Sequence, residues 1–254
     1  WAESSGGVSG ANVFVRGFPT GGDAPFLTVQ LQGVGIYTPP SVSFLENSTL
    51  FRVDETIEFM DALRGGPASV LSNGQPGLTT NFLLKEGSEE TQGTFKYSTS
   101  DYGLQRVDAV LSGALDEDFY YMIGGYVQQS SGVRDAGFTS EKGNQFTVNL
   151  TKVLDNGKIN LFTRITDDSG VWYTPSPLIE GVDNSFVHIG TLNRQATINY
   201  GPEDNSTSEN FDFGEGRGWD GSVSGGSVNL DLGSDWSFVD RFSFTKGEAD
   251  TLGL

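Results

Sequence analysis

The segment Gln145-Phe146-Thr147-Val148-Asn149-Leu150 alternates polar and apolar residues without interruption. Successive side chains of a β-strand point to opposite faces, so this segment predicts a strand with one apolar and one polar face. The alternation recurs in both directions along the chain. Together these segments predict seven strands, which contain Phe95 and Tyr97, Val107 to Leu111, Phe119 to Val127, Phe146 to Leu150, Ile159 to Ile165, Trp219 to Leu232, and Trp236 to Phe244.

The connections between these strands alternate in length. One rim has a tight turn near 101–103 and long loops near 130–143 and 167–216, whereas the turns near 114–118, 155–157 and 233–235 on the other rim are all short. A bacterial outer-membrane barrel sorts short turns to one rim and long loops to the other, and a soluble β-sandwich has no general reason to do so. We therefore predict a mainly β chain that forms a transmembrane antiparallel β-barrel segment. Because such barrels have an even number of at least ~8 strands, seven strands indicate an arc of a larger barrel.

The composition excludes several functional classes. The chain has 254 residues, and its 15 Lys and Arg against 33 Asp and Glu give a net charge of −18, which disfavours nucleic acid as a partner. The absence of cysteine and the single histidine, His188, exclude disulfides, thiolate chemistry and multi-histidine zinc sites. We expect no enzyme activity, cofactor or metal. We also expect no transmembrane helix, since no apolar run approaches ~18 residues.

The pattern of β segments and turns in the sequence changes near Lys85 to Glu90. Before this point, short β segments alternate with glycine-rich turns, and after it the longer alternating strands dominate. The acidic run from Glu86 to Glu90 suits a solvated connector. We therefore predict two domains, over residues 1–88 and 89–254.

Segments of the first domain resemble the plug domain of TonB-dependent outer-membrane receptors. Ala11 to Phe18 is similar to the family's hydrophobic-x-x-Arg-Gly strand, and Val29 to Tyr37 to its Leu-Asp-Gly-Val-Pro strand and turn. Thr56 to Ser69 and Gly74 to Phe82 resemble the signature that contains Leu-Arg-Gly-Pro-Ala-Ser and a glycine-rich turn. The chain departs from these patterns at Gln32, Gly35, Asp61 and Leu78.

The resemblance implies a small α+β plug, incomplete at its N-terminus, inside a barrel of ~22 strands. It implies a location in the bacterial outer membrane, with the plug facing the periplasm and with lipid and lipopolysaccharide around the barrel. It further implies uptake of a scarce solute, which would be an iron siderophore, cobalamin or an oligosaccharide. The energy would come from TonB and its partners ExbB and ExbD. We expect this chain to supply the plug and about seven strands.

Plug residues are candidates for contact with the barrel. Arg16, Arg64 and the carboxylates Glu55, Glu58 and Asp61 are predicted to form ion pairs with a polar barrel wall, although ordinary surface pairs worth ~0–1 kcal/mol are the alternative. The glycines are expected to serve tight turns rather than phosphate binding. The resemblance marks as signature and contact residues Arg16, Gly17, Glu58, Arg64, Gly65, Gly66, Pro67, Gly74, Gly77 and Asn81.

Aromatic residues in and beside the longest loop are candidates for solute binding. They offer stacking surfaces for sugars or aromatic chelates, and an aromatic girdle or loop-packing cluster is the alternative. The candidates are Trp172, Tyr173, Phe186, His188, Tyr200 and Trp219.

Three functions remain open at this point. The first is a partial TonB-dependent receptor. The second is a truncated or repurposed receptor-like protein that acts as a structural or binding subunit, with other outer-membrane subunits as partners along its open edges. The third is a secreted acidic β-sandwich that binds carbohydrate.

Overall fold

The computed structural model describes residues 2–3, 12–13, 15, 26–36, 47–65, 77–132, 136–172, 194–200 and 207–251. Almost all of these residues lie in strands or in the turns between them. The strands are β1 Ala2–Glu3, β2 Asn12–Val13, β3 Leu27–Leu31, β4 Val34–Ile36, β5 Ile57–Arg64, β6 Leu78–Leu84, β7 Gln92–Thr99, β8 Gln105–Asp116, β9 Phe119–Ser130, β10 Glu141–Leu154, β11 Gly157–Gly170, β12 Gln195–Tyr200, β13 Thr207–Asp212, β14 Arg217–Gly233 and β15 Trp236–Thr251.

Seven strands form one long antiparallel sheet in the order β7-β8-β9-β10-β11-β14-β15. These are the seven strands that the alternation predicts, so the mainly β fold and the strand count are confirmed. The longest predicted loop differs in detail. Strand β11 continues to Gly170, and the loop that follows contains a separate hairpin of β12 and β13.

The two faces of the long sheet differ in polarity. The inward face carries Asp108, Gln145, Asn149 and Arg164, which are all buried. The outward face carries large apolar side chains that remain exposed: Phe95 75%, Tyr97 57%, Leu111 42%, Ile123 37%, Val127 58%, Phe146 50%, Leu161 49%, Ile165 51%, Phe242 52% and Phe244 67%. Soluble proteins bury the apolar face of a sheet and wet the polar one, and this sheet does the reverse.

A smaller sheet of four strands precedes the long sheet, in the order β4-β3-β6-β5. Strands β3 and β6 are parallel, and the other neighbours are antiparallel. Every residue of β3 is buried. The β3–β4 turn places Gln32 and Gly33 at φ 56° and 81°, the conformation of a tight type I′ hairpin, and Asn81 accepts a hydrogen bond from the Gly33 N–H at 2.8 Å.

An apolar core joins the small sheet to the inward face of the long sheet. It contains Leu27, Val29, Leu31, Ile36, Leu50, Phe51 and Leu84 on one side, and Val110, Met122, Phe162, Trp219 and Val223 on the other. The Phe51 and Phe82 rings lie 4.5 Å apart between centroids. The polar face of the long sheet is therefore covered by the N-terminal part of the chain.

Helical structure is sparse in the described part of the chain. It is limited there to the 3-10 helix Asn47–Leu50, so the α+β composition of the N-terminal part stays a prediction. No helix among these residues is long and apolar enough to cross a membrane.

Candidate functional site

The candidate site is the contact between residues 51–56 and the inward face of the long sheet. This segment links the 3-10 helix to β5 and carries Arg52, Asp54 and Glu55 in sequence. Three charges so close together in a connector would normally face water. Here each of them forms an ion pair with a strand of the long sheet.

Arg164 of β11 and Asp54 form the centre of this contact. The side chains are 2% and 0% exposed, and the Arg164 Nη2 donates to Asp54 Oδ1 at 3.1 Å. Three further guanidinium hydrogens bind the hydroxyls of Thr147 and Thr56 and the Arg52 carbonyl, at 3.1, 2.8 and 2.8 Å. Asp54 in turn accepts from Gln145 Nε2 at 2.6 Å. A buried pair is tolerated when its remaining hydrogen-bonding groups are satisfied in this way.

A second ion pair lies beside the first. Arg52 donates hydrogen bonds from Nε and Nη2 to the Asp168 carboxylate of β11, and the distance from Nη2 to Oδ1 is 2.9 Å. The Tyr126 hydroxyl of β9 donates to the same carboxylate at 3.3 Å. Two-point binding of this kind fixes the orientation of both groups as well as their separation.

Arg106 of β8 extends the network towards the edge of the sheet. It binds Asp108 through two hydrogen bonds of 2.8 and 2.7 Å and donates to the Val53 carbonyl at 3.1 Å. Its guanidinium also lies 4.1 Å from the centre of the Tyr126 ring. The segment is thus held through its backbone as well as its side chains.

More exposed contacts surround this buried network. Lys96 of β7 pairs with Glu55 at 2.7 Å, and Lys158 of β11 pairs with Glu86 at 2.9 Å. Asn149 of β10 donates to the Lys85 carbonyl at 2.9 Å. The arrangement positions one part of the chain against another. In the described residues, no group of three or more His, Cys, Asp or Glu side chains is placed to hold a metal ion.

The structure places some of the predicted plug residues away from this contact. Glu58 and Arg64 lie on β5 and are exposed. Gly65 follows β5 and donates its N–H to the Gly77 carbonyl at 3.0 Å, while Asn81 binds the β3–β4 turn. Arg16, Gly17, Gly66, Pro67 and Gly74 lie outside the described residues.

The aromatic candidates are only partly within the described residues. Trp219 on β14 is 5% exposed and belongs to the apolar core. Trp172 lies after β11, where the Arg217 guanidinium stands 4.8 Å from its ring centre. Tyr200 ends β12, and its side chain is outside the description. Tyr173, Phe186 and His188 fall in the range 173–193, which is also outside it.

The β12–β13 hairpin, which interrupts the chain between β11 and β14, is closed by a charged pair. Arg194 donates from Nε to both carboxylate oxygens of Asp212, at 2.9 and 3.0 Å, and the Gly214 N–H adds a third hydrogen bond at 2.8 Å. The hydrogen bond from Arg194 lowers the pKa of Asp212 below its ordinary value. This carboxylate therefore stays charged over the physiological range.

The sequence alone does not single out the residues that form the buried network. Arg52, Asp54, Asp168 and Arg164 belong to no motif that predicts this contact. The available signal was the charge itself. An arginine at an inward position of an alternating strand requires a partner, although the sequence does not say which one.

Comparison with solved structures relates this fold to outer-membrane receptors. The chain superposes on FpvA of Pseudomonas aeruginosa with a TM-score of 0.70, at 16% identity, over 98% of this chain and 30% of that one. FauA, the alcaligin receptor of Bordetella pertussis, superposes with a TM-score of 0.58 at 15% identity, over 87% of this chain and 31% of that one. PirA, a siderophore receptor of Pseudomonas aeruginosa, superposes with a TM-score of 0.55 at 13% identity, over 89% of this chain and 34% of that one. No protein-family model and no curated protein sequence matches the chain.

These matches confirm the resemblance at the level of the fold. The three structures named above are TonB-dependent siderophore receptors of the outer membrane, which are transport proteins and not enzymes. The chain spans about a third of the length of the receptors named above.

Proposed function

We propose that this chain is part of an outer-membrane receptor that binds a scarce extracellular iron chelate and admits it with energy from TonB. In this proposal the long sheet is an arc of the barrel wall, and the N-terminal part, up to about residue 88, is the plug. The observation that carries the proposal is the polarity of the long sheet. Its exposed face is apolar and its covered face is polar, as expected of a wall between lipid and a wet interior.

The position of the apolar band on the outward face supports this interpretation. On β9 the last outward apolar residue towards the long loops is Val127. Val127 pairs with Asn144 on β10, and the same row continues across β11, β14 and β15 as Asp167, Asp220 and Glu248. Along this row the outward side chains therefore change from apolar on β9 to acidic on β11, β14 and β15. On β15 the outward apolar residues end at Phe244, four residues before Glu248. The band therefore crosses the sheet obliquely.

The shift of the apolar band along the strands agrees with the shift expected for tilted strands in a bilayer. Barrel strands tilt by ~35–45° from the membrane normal, so a level band must shift along the strands from one to the next. Four strand spacings of ~4.8 Å between β9 and β15 give about 19 Å, and a tilt of ~40° then predicts a shift of about 16 Å. The observed shift of four residues corresponds to about 14 Å at ~3.4 Å per residue.

The buried network supports the assignment of a plug. A plug must stay seated in a wet lumen without a large apolar interface, and paired charges with satisfied hydrogen bonds provide such seating. Arg164 and Asp168 on β11 hold Asp54 and Arg52, which belong to the N-terminal part. The aromatic and charged pair of Trp172 and Arg217 lies towards the long loops, where a solute would enter.

The class of solute is proposed from the structural neighbours. FauA is a receptor for alcaligin, and FpvA has been solved in complex with iron-bound pyoverdine. An iron chelate is therefore our choice over cobalamin or an oligosaccharide. The residues proposed to meet it are Trp172 and the aromatic residues of the loop that follows β11.

Membrane fractionation tests the first part of the proposal. We expect the chain to sediment with the outer membrane of a Gram-negative host, to resist extraction by alkaline carbonate and to require detergent for release. A monomer that is soluble after lysis without detergent would contradict the proposal and would favour a soluble β protein.

Solute uptake tests the second part. In the complete polypeptide, we expect accumulation of a radioactive ferric siderophore that depends on TonB and falls at least fivefold when Trp172 is replaced by alanine. A chain that enters the outer membrane but supports no uptake of any ferric chelate would instead favour the structural or binding subunit.

A further inference from the structure

Three short segments meet where the long sheet ends beside the long loops. We call them the rim cluster, which consists of residues 140–142, 170–172 and 215–217. The Val171 N–H donates to the Ser140 carbonyl at 2.8 Å. Lys142 pairs with Glu215 at 3.2 Å. Trp172, which is proposed above to meet the solute, belongs to this cluster, so the groups around it bear on solute binding.

Glu141 is a buried carboxyl group in the rim cluster. It is 6% exposed and faces inward like Gln145 on the same strand, and its Oε2 atom has no hydrogen-bond partner among the described residues. It lies five residues beyond Phe146, the last outward apolar residue of β10, and so outside the apolar band. Burial raises the pKa of Glu141 above its ordinary value of 4.5, against the opposing effect of a hydrogen bond with Ser130. The surroundings therefore favour the neutral carboxyl group.

Arg217 lies in the same inward row as Glu141. The pairing of β10 with β11 places Glu141 opposite Gly170, and the register of β11 with β14, continued by one position, places Gly170 opposite Arg217. The residue between the two charged groups therefore has no side chain. Two strand spacings of ~4.8 Å separate their backbones by about 10 Å, which a glutamate and an arginine side chain can bridge together. In the structure, the Arg217 guanidinium instead lies 4.8 Å from the ring centre of Trp172.

The other titratable and charged groups around Glu141 are already engaged. On the described elements that surround it, these groups are Arg52, Tyr126, Lys142, Asp168 and Glu215. Arg52 and Tyr126 both bind the Asp168 carboxylate. Lys142 and Glu215 pair with each other. Within this part of the chain, Arg217 is thus the cation with which an ionised Glu141 would pair.

We infer that Glu141 and Arg217 form a proton-controlled switch that covers and uncovers the ring of Trp172. When Glu141 is protonated, Arg217 lies over the ring, as it does in the structure. When Glu141 loses its proton, a buried carboxylate without a partner is costly, so Arg217 crosses Gly170 to pair with it. One face of the Trp172 ring is then free to stack on an aromatic chelate. The inference rests on the proposed function, because it assigns the regulation of that same site.

The direction of the pH dependence follows from the raised pKa of Glu141. Between pH 4.5 and the raised pKa, Glu141 keeps in the folded protein a proton that it would lose in water. In this window, and below it, Arg217 covers the ring. Above the raised pKa the carboxylate form prevails and the ring is uncovered. We therefore expect tighter solute binding on the alkaline side of the transition.

Fluorine NMR of the detergent-solubilised chain, labelled with 5-fluorotryptophan, tests the inference. Trp172→Phe identifies the resonance of Trp172, and broadening by the soluble nitroxide TEMPOL measures how exposed its ring is. We expect one transition of this resonance above pH 4.5. The broadening should be at least threefold greater on the alkaline side of the transition than on the acidic side.

Three variants assign the transition to its groups. Glu141→Gln cannot ionise, so it should abolish the transition and keep the ring covered at every pH. Arg217→Met should also abolish the transition but leave the ring exposed, and it keeps the test decisive if circular dichroism shows that Glu141→Gln does not fold. The matched control is Glu215→Gln, which removes the same charge from a side chain that is 56% exposed and should leave the transition unchanged. A merely structural role of Glu141 would not remove a pH transition at Trp172.

The outcomes separate this inference from the proposed function. A wild-type resonance without a transition, or an equal transition in Glu141→Gln, overturns the switch and leaves the receptor function standing. A transition that depends on Glu141 but leaves the nitroxide broadening unchanged also overturns the switch, because the ring is then not uncovered. If the transition and the broadening both follow Glu141 in a chain that supports no uptake of any ferric chelate, the switch is supported and the proposed function fails.

Discussion

Replacing Arg164 with methionine tests whether the buried network seats the N-terminal segment. The variant removes the charge that faces Asp54 and all four donor contacts described above, while a side chain of similar length remains. Breaking one partner of a buried ion pair costs ~3–5 kcal/mol, because the other charge is left uncompensated. At 1.4 kcal/mol per tenfold change, the population of detached segment should rise about 100- to 4,000-fold.

Hydrogen exchange at the Thr56 amide measures this population. In the wild type this N–H donates to Asp54 Oδ1 at 3.0 Å, so it exchanges when the segment leaves the sheet. The matched control is Lys96→Met, which breaks the exposed pair with Glu55 and should change the exchange rate less than about sixfold, since such pairs are worth ~0–1 kcal/mol.

The double variant Asp54→Asn with Arg164→Met completes the cycle. Because it removes both charges, its effect should be clearly smaller than the sum of the two single effects. Simple additivity, or an exchange rate in Arg164→Met within threefold of wild type, would refute the view that this pair seats the segment.

Two further predictions concern the sheet and the hairpin. Gly125→Ala should prevent correct pairing of β9 with β10, because a Cβ atom there would lie 1.7 Å from the Gln145 carbonyl oxygen. The control is Gly93→Ala, whose Cβ would meet nothing closer than 3.7 Å and which should fold normally by circular dichroism. If Gly125→Ala folds as well as Gly93→Ala, the described backbone is wrong at that position. Because its pKa is lowered, Asp212 should protect the Gly214 amide from exchange at neutral pH and lose this effect only below its ordinary pKa of 3.8. Asp212→Asn should weaken the protection at neutral pH, and equal protection in both proteins there would contradict the role of Arg194.

The long sheet was predictable from sequence because its two faces meet different surroundings. Strand β10 alternates apolar and polar residues over Gln145 to Leu150, and each outward residue there is more exposed than the inward residue before it. The strand ends were less clear. Strand β11 continues through Asp168 and Ser169 to Gly170, where both faces carry polar or small residues and the alternation disappears.

The small sheet shows where periodicity fails. Strand β3 is buried along its whole length, so it contains no alternation to detect, and only the resemblance to a known family indicated it. The candidate site was less accessible still. Arg52 and Asp54 lie in a connector, where charged residues usually face solvent, and their partners on β11 are more than 100 positions away in the chain.

The connectivity of the two sheets implies an order of assembly. In the long sheet most neighbours are consecutive in the chain, so the strands can be added one hairpin at a time with little loss of chain entropy. The parallel partners β3 and β6 are separated by 46 residues between their last and first positions, Leu31 and Leu78, so their pairing must close a long loop, which makes it slow. We therefore expect the small sheet to lag behind its neighbour during biogenesis, and pulsed hydrogen exchange would reveal early protection in β9 and late protection in β3.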